Sequence, residues 1–406
     1  MRIAVIGAGA AGMMAAGRAA ELGGDVTLFE KNKFSGKKLR ITGKGRCNVC
    51  NDSDINTVIE NIPTNPRFMY AALSGFEPSD TKAFFEMLGV PLKTERGNRV
   101  FPQSDKAEDI VEALRRYTKT HGVKYINEEV KDISKNEETF TVLAKSEYEF
   151  DRVIIATGGA SYPLTGSTGD GYRIAKSFGI EVTELLPSLV PLETVDREPA
   201  EMQGLSLKNT GLEVIDTANG KCIYRDFGEM MFTHYGVTGP MILSASSHLG
   251  RIEKGRYKLV LDLKPALDEK TLDARLLSDF SKSLNRDFAN SLSALLPQKM
   301  IPIIIKRSKI APDKKVNAIT KEERRALLAL LKSFELTVKG TRPLSEAIIT
   351  SGGVSVKEIS PKTMEAKKVP GLFFCGEVID VDAYTGGFNL QIAFSTARLA
   401  AENSVY

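Results

Sequence analysis

The opening residues constrain the fold more than any other part of this chain. Arg2-Ile3-Ala4-Val5-Ile6 has the continuous apolar pattern of a buried strand and runs straight into Gly7-Ala8-Gly9-Ala10-Ala11-Gly12. The Ala-rich stretch from Met13 to Leu22 reads as a helix, and Val26-Thr27-Leu28-Phe29 as a second strand ending on Glu30, 18 residues beyond Gly12. Strand, glycine turn, helix, strand and acid, in that order, describe a dinucleotide-binding unit. The glycines let the backbone approach a pyrophosphate, the helix N-terminus faces its charge, and an acid roughly 20 residues on takes a ribose hydroxyl. Gly7, Gly9, Ala10, Ala11, Gly12, Glu30 and the adjoining Lys31 are the first candidate cofactor residues.

A chain of 406 residues is too long for one simple core, so two or three domains are expected. A net charge of +4 is too mild to announce a nucleic-acid or membrane partner. The apolar stretch after Met1 is broken by glycines and reads as a strand rather than a signal sequence, and no run reaches the ~18 apolar residues of a membrane span. Cys47, Cys50, Cys222 and Cys375 do not form a secreted disulfide pattern. The expectation is a cytoplasmic protein with reduced thiols.

Helical spacing covers Phe68 to Gly89 and Asp105 to Thr120, and short strands are expected at Val123–Ile126, Glu129–Ile133, Thr139–Ala144 and Tyr148–Ala156. The last of these ends in Thr157-Gly158-Gly159, a second close-approach turn. Beyond Leu192 alternating segments such as Leu212–Ile215 and Tyr257–Leu261 suggest a β-rich module. From Asp268 to about Phe334 the chain reads as helical and charge-laced (Thr271–Leu284, Asp287–Leu296, Lys299–Lys306, Lys321–Ser333). Apolar strand signals return at Ala347–Val354 and Gly371–Glu377, and Leu390–Glu402 closes the chain as a helix. This predicts an α/β protein with a discontinuous nucleotide-binding domain (1–191 and 341–406). A β-rich insert (192–265 and about 335–340) and a helical insert (266–334) interrupt it.

One nicotinamide nucleotide needs only the first fingerprint. Here a second element follows a strand near the C-terminus, where Gly376-Glu377-Val378-Ile379-Asp380 leads through Gly386-Gly387-Phe388-Asn389 into the last helix. Acids after a strand, then glycines at a helix start, suit FAD, whose ribityl and ring must also be held. The helix beginning near Asn389 is expected to aim its positive end at the flavin N1–C2 edge, an electrostatic lever on redox potential. The glycine-rich basic loop Ser35 to Asn48 adds backbone and cationic donors suited to phosphate and the flavin edge.

Taken together, GAGAAGMMAA (7–16), FEKN (29–32), GKKLRITGKGRCN (36–48), IIATGG (154–159), GSTGDGY (166–172), MMFTHYGVTGP (230–240), TSGGV (350–354) and GLFFCGEVIDVDAYTGGFNLQIAFSTA (371–397) resemble the BaiN/YhiN flavoprotein family across essentially the whole chain. That family includes aminoacetone-oxidase-like proteins and bile-acid 3-oxo-Δ4 reductases. The resemblance implies a Rossmann-type, non-covalent FAD-binding domain of the glutathione-reductase class. It implies a flavin lined by Gly7, Gly9, Gly12, Glu30, Lys37, Lys38, Arg46, Asn48, Ala156, Thr157, Gly158, Gly376, Glu377, Asp380, Asn389, Leu390 and Gln391, and Cys47 and Gly387, from the basic loop and the C-terminal glycine turn, are further candidate cofactor residues. Val130 resembles the residue that related flavoproteins place in a strand beside the adenine. Two features depart from the pattern: Thr42 and Lys44 stand where the family more often has Ser and Gly, and Cys50 occupies a variable place.

Catalytic candidates come from the insert. Met231 to Pro240 reads as a glycine-punctuated strand-to-helix turn holding His234, one of three histidines. His titrates near neutrality, so His234 with Tyr235 is a candidate to protonate a carbon or enolate oxygen during flavin hydride transfer, or else a structural strut. His121 and His248 read as solvated surface. Cys47-x-x-Cys50 raises a dithiol relay, against which stands its place after a basic loop rather than at a helix start after a strand. No metal site is read. The cations Lys306, Arg307, Lys309, Lys314, Lys315, Lys321, Arg324 and Arg325 read as a solvated helix face, diluted by Asp313, Glu322 and Glu323 and lacking interleaved aromatics, so nucleic acid is not the expected partner.

The expected activity is FAD-dependent oxidoreduction: NAD(P)H as co-substrate reduces an activated C=C bond in a small hydrophobic substrate through flavin N5. The alternatives are an oxidase acting on a small amine or amino ketone, and an RNA-binding or redox-sensing flavoprotein. No second nicotinamide fingerprint is found, since Gly166 to Gly171 does not fit GxGxxG. The oligomeric state is left open.

Overall fold

A computed structural model describes residues 1–250 and 252–406. The chain divides into two compact units, one formed by Met1–Ser188 with Pro343–Tyr406, the other by Leu189–Arg342.

The first unit is built on a five-stranded parallel sheet in the spatial order Leu372–Phe374, Arg152–Ile155, Arg2–Ile6, Asp25–Phe29, Lys124–Ile126. After their first residue, the strands Arg2–Ile6 and Arg152–Ile155 are apolar and buried because both faces are covered. The helices Ala10–Glu21 and Phe388–Ser404 pack together, and Arg18 bridges Glu21 and Glu402 at 2.9 and 2.8 Å. The helix after the glycine turn begins at Ala10, three residues before the sequence pattern placed it. The expected single strand Tyr148–Ala156 is two strands, Glu147–Phe150 in an antiparallel meander and Arg152–Ile155 in the parallel sheet. Asp151 divides them, its carboxylate binding the Arg2 backbone and guanidinium. Phe68–Gly89 is broken into Pro66–Met69, Tyr70–Gly75 and Pro78–Met87, the last opening on a capping box of Glu77 and Asp80.

The second unit holds a closed barrel of six antiparallel strands: Leu192–Thr194, Gly236–Thr238, Lys221–Phe232, Ser206–Asp216, Tyr257–Asp262 and Phe334–Thr341. Alternation is clear in Tyr257–Asp262, where Tyr257, Leu259 and Leu261 are buried and the residues between them are half-exposed. Helices Glu269–Ser281, Ile301–Ser308 and Lys321–Lys332 contribute to the same apolar core as the barrel, through Leu272, Leu276, Ile304, Leu327 and Leu331. The β-rich and helical parts of the insert therefore share one core. The helix expected at Asp287–Leu296 is reduced to one short turn, Phe288–Asn290. Its backbone is claimed elsewhere: Phe288 N donates to Lys314 O at 2.9 Å, and Val316 N to Arg286 O at 3.0 Å.

Candidate functional site

The glycine turn is fixed by close backbone approach. A Cβ on Gly12 would stand 1.7 Å from Gly7 O, and one on Gly7, at φ +102, would stand 2.7 Å from Ala156 O. Gly9 differs: a Cβ there meets nothing within 4 Å, although its φ of −82 suits any residue. The turn is thus packed on two sides and open at Gly9, where the N-terminus of the helix Ala10–Glu21 carries no side-chain cap. Glu30 leaves the second strand and turns back on it. Its Oε2 accepts Ala8 N–H at 2.9 Å, and its Oε1 accepts the Asn32 backbone and amide at 2.7 and 2.8 Å.

The side chains named for the flavin divide into two groups. Some are engaged by the protein itself. Lys37 reaches Asn32 Oδ1 at 3.1 Å, and Lys31 is paired with Asp170. Lys38 bridges Ser161 Oγ at 2.8 Å and Glu377 Oε2 at 2.6 Å, while Glu377 Oε1 takes Thr350 N–H at 3.0 Å. The Arg46 guanidinium is held by Glu95 and Asp105 and lies 4.1 Å from the Phe101 ring centroid. Asn389 donates to Ala383 O at 2.7 Å, and Gln391 is fully buried among Thr81, Phe76 and Ser395. These residues brace the loops around the site.

The second group offers unspent capacity. Ala156, Thr157 and Gly158 follow the strand Arg152–Ile155, next to the central one, and Leu390 lies in the first turn of the last helix. The helix Phe388–Ser404 starts at Gly387 with no side-chain cap. Among the described residues, the side-chain oxygen of Asn48 and the Ser53 hydroxyl are buried without a hydrogen-bond partner. An open glycine at one helix start and an uncapped second helix start fit FAD, which presents phosphates and ring carbonyls to such N–H groups. Val130 is buried but lies between the strands Lys124–Ile126 and Asp132–Lys135 rather than in one.

A carboxylate missed in the sequence reading, Asp382, lies two residues beyond the named Asp380. Asp382 is almost fully buried and accepts the hydroxyls of Ser188 at 2.9 Å and Ser351 at 3.2 Å. Burial raises its pKa, and it also raises that of Asp380, which the Asp382 charge pushes the same way. The signal was available: Asp382 follows Asp380 by two residues in a run already marked for cofactor binding, but nothing local tells a buried acid from a solvated one.

In the second unit, His234 is exposed and sits edge-on to Tyr235 at 4.8 Å, and the Arg342 guanidinium lies 4.8 Å from the Tyr235 ring centroid. Arg342 and Lys339 both bind the Glu193 carboxylate at 2.9 Å, which holds it well below the usual carboxylate range, Lys339 being the stronger cause. Glu193, Asp196, Arg197, His234, Tyr235 and Lys339 line a recess of about 390 Å³ whose walls also include the apolar Val195, Pro199 and Ala200. The other histidines are not solvated surface as expected: His121 packs on Tyr117 and His248 on Tyr224, each half-buried. Cys47 and Cys50 are buried and burial pushes both thiols up to about 12, the reverse of what a dithiol relay needs. In the basic helical segment, Arg307 pairs with Glu198, Lys314 with Glu323, Lys315 with Asp287 and Arg324 with Asp273. Half of that cluster is already neutralised.

No helix among the described residues is long and apolar enough to cross a membrane. The family described as HI0933-like protein Rossmann domain matches residues 1–403. The chain is 30% identical over 405 residues to a 3-dehydro-bile acid delta(4,6)-reductase of Clostridium scindens, covering 98% of both chains. It is 32% identical over 405 residues to a ribosomal RNA dihydrouridine synthase of Haemophilus influenzae, covering 98% of this chain and 96% of that one. The solved structure of a mutant of E. coli quinol fumarate reductase FrdA matches all of this chain and 69% of its own at a TM-score of 0.51, and at 16% identity it speaks for the fold alone. With its glycine turn, parallel sheet and barrel insert, the chain belongs to the HI0933-like family of flavoprotein oxidoreductases, built on a Rossmann-type FAD-binding domain.

Proposed function

We propose that this protein is an NAD(P)H-linked, FAD-dependent reductase that saturates a carbon–carbon double bond conjugated to a carbonyl, in a small hydrophobic substrate. One observation carries the reading. Two relatives alike over nearly the whole chain bear names that denote the same transformation on unlike molecules, a 3-oxo steroid acid with ring double bonds and the uracil of uridine. Two hydrogens added beside a carbonyl are what these reactions share. The oxidase alternative lacks such support.

FAD held at this site would supply two-electron hydride chemistry at its N5. The open turn at Gly9 and the uncapped helix at Ala10 would take the pyrophosphate, and Glu30, locked by Ala8 and Asn32, the adenosine ribose. The Lys38–Glu377–Thr350 network would set the floor on which the ribityl chain rests. Saturating the double bond also needs one proton at the carbon next to the carbonyl. His234, exposed beside Tyr235 in a recess that also holds Lys339, is the proposed donor from its ring N–H. Arg342 and Glu193 act as positioning residues for Tyr235.

Anaerobic stopped-flow of the flavin absorbance band after adding NADH or NADPH tests the reading. Rapid bleaching followed by reoxidation with a 3-oxo-Δ4 steroid is the expected result. Absence of bleaching, with peroxide formed from an amine donor, would replace it with the oxidase alternative.

A second reading has its own support, the name of the 32% identical relative: the double bond reduced lies in a uridine of ribosomal RNA. Bleaching by NAD(P)H with no steroid turnover, and dihydrouridine appearing in RNA incubated with the reduced protein, would select it.

A further inference from the structure

We propose, on the reading that FAD binds in this domain, that the segment Gly159–Gly169 is a strap across the dinucleotide crevice, which FAD must displace to enter or leave. Sheet order places the crevice. From Arg2–Ile6 the chain builds outward to Asp25–Phe29 and Lys124–Ile126, then returns to Arg152–Ile155 on the opposite side of Arg2–Ile6. In an open parallel sheet a ligand lies at the carboxyl ends of the strands where the order reverses, here over Ile6 and the glycine turn. The strap is rooted on one side of that point, after Ile155, where a Cβ on Gly7 would stand 3.1 Å from Thr157 Cα. It is fastened on the other side, to residues just beyond Glu30. Between root and fastening it crosses the carboxyl end of the strand that carries the glycine turn.

The two limbs are held differently. In the near limb, the Ala160 and Ser161 N–H groups both donate to the buried Thr350 Oγ1, at 2.8 and 3.1 Å. In the far limb, Asn32 Nδ2 donates to Thr165 O at 3.2 Å as well as to Glu30 Oε1 at 2.8 Å. Lys37 Nζ reaches Leu164 O at 3.4 Å, and Lys31 Nζ binds Thr168 Oγ1 and the Asp170 carboxylate. A Cβ on Gly166 would stand 2.3 Å from Asn32 Nδ2, so the strap packs directly on these residues. At the base, Gly169 N–H donates to Gly159 O at 3.2 Å, which closes the segment as an Ω-loop. The tip is one stiff turn: Thr165 N–H donates to Tyr162 O at 2.8 Å and Gly166 N–H to Pro163 O at 3.0 Å. Leu164 at its apex is 92% exposed, so polar latches rather than apolar packing hold the tip down. Tyr162 sits at φ +50 and Gly169 at φ +83, one at each end of the far limb. The left-handed conformation costs a tyrosine free energy, and swinging the tip out at Tyr162 relieves it while the near limb stays on Thr350. A weakly held piece between firm anchors is what a lid requires.

Two rates separate a strap from a ligand contact. A strap slows entry and exit alike, so loosening it quickens both and leaves affinity nearly constant, whereas a group that touches FAD changes affinity. The full-length protein is stripped of flavin. Association is followed by the change in FAD fluorescence, and release by chasing tritiated FAD with unlabelled FAD. Lys31→Met removes the latch to Thr168 and Asp170 from one side, and Asp170→Asn weakens it from the other. Both are half-buried surface positions, so both variants should fold. Association and release should both quicken in each, by about 10-fold in Lys31→Met, with affinity little changed. The double variant should be no faster than Lys31→Met, because both substitutions release the same bond. Faster release with unchanged association in Lys31→Met overturns the strap and makes Lys31 an FAD ligand. Wild-type rates in both variants overturn it as well, and leave FAD binding itself intact. A wild-type chain that takes up no FAD overturns the FAD reading and the strap with it.

Discussion

Two glycine-punctuated turns, one in each unit, look alike as strings and do opposite work. In the first, Gly7 and Gly12 are forced by backbone contact, but Gly9 faces no protein atom and has an ordinary φ. In the second, a Cβ on Gly236 would stand 2.2 Å from Leu192 O and one on Gly239 would stand 2.8 Å from Met230 Cα. Both of these glycines exist to let barrel strands close, and Gly236 in particular brings Glu193 opposite it in register. Of these two turns, the one with a glycine that packing does not require is the one at the dinucleotide fingerprint.

The largest effects should come where a Cβ has no room. Gly12→Ala drives a methyl into the Gly7 carbonyl, and Gly236→Ala drives one into the Leu192 carbonyl. Each should lose more than about 4 kcal/mol of stability, measured by denaturant unfolding, or fail to give soluble protein. If either variant melts like the wild type, close approach is not what fixes that turn. His234→Ala is expected to come next: turnover with NAD(P)H and an enone falls about 10²- to 10⁴-fold while flavin content and thermal midpoint stay unchanged. Unchanged turnover would make the second turn structural through and through.

Gly9→Ala is the sharpest probe of the comparison. Protein stability should hold or rise by up to about 1 kcal/mol, because the backbone there already suits alanine. FAD affinity should nevertheless fall about 10- to 100-fold, since the new methyl occupies the pyrophosphate approach. Glu30→Ala should weaken FAD to a similar degree by freeing Ala8 and Asn32 as well as losing the ribose acceptor. Full flavin occupancy in both would mean that the open glycine marks nothing.

The nucleotide-binding half was legible because its signals are local. Ile3 to Ile6, the glycines and Glu30 lie in one stretch of chain, and every backbone partner they need is supplied by a parallel sheet whose strands are apolar on both faces. What escaped depends on distant partners. Lys38 and Glu377 were both read as cofactor ligands, yet they bind one another across 339 residues. Gln391 was read the same way but is consumed by Phe76 and Thr81. The helix expected at Asp287–Leu296 yields to backbone bonds from 312–316, which periodicity cannot see. Arg342, which faces Tyr235, lies outside every motif.

The smallest effect concerns a third glycine-punctuated turn, Asp382 to Gly387, and asks to which of the two kinds it belongs. Gly387 is packed on Cys50, and Asp382 is sunk beneath the hydroxyls of Ser188 and Ser351, which makes this a packed turn with a buried acid. Burial is the first cause of the raised pKa, with the Glu377 charge adding to it, while the hydroxyls of Thr64, Ser188 and Ser351 pull the other way. For an acid raised in the fold, the unfolded chain ionises first as pH rises. Stability from the protonated form is complete below the unfolded value of about 3.9 and is lost as pH climbs through the folded one. Asp382→Asn removes this dependence and keeps hydrogen-bonding capacity for the three hydroxyls. Between pH 7 and pH 4, the unfolding free energy of the wild type should therefore gain on that of Asp382→Asn, read from urea titrations at each pH. A difference that stays flat or runs the other way would mean the carboxylate is ionised in the folded protein, its charge held by water or a ligand, and would move this turn to the open kind with Gly9.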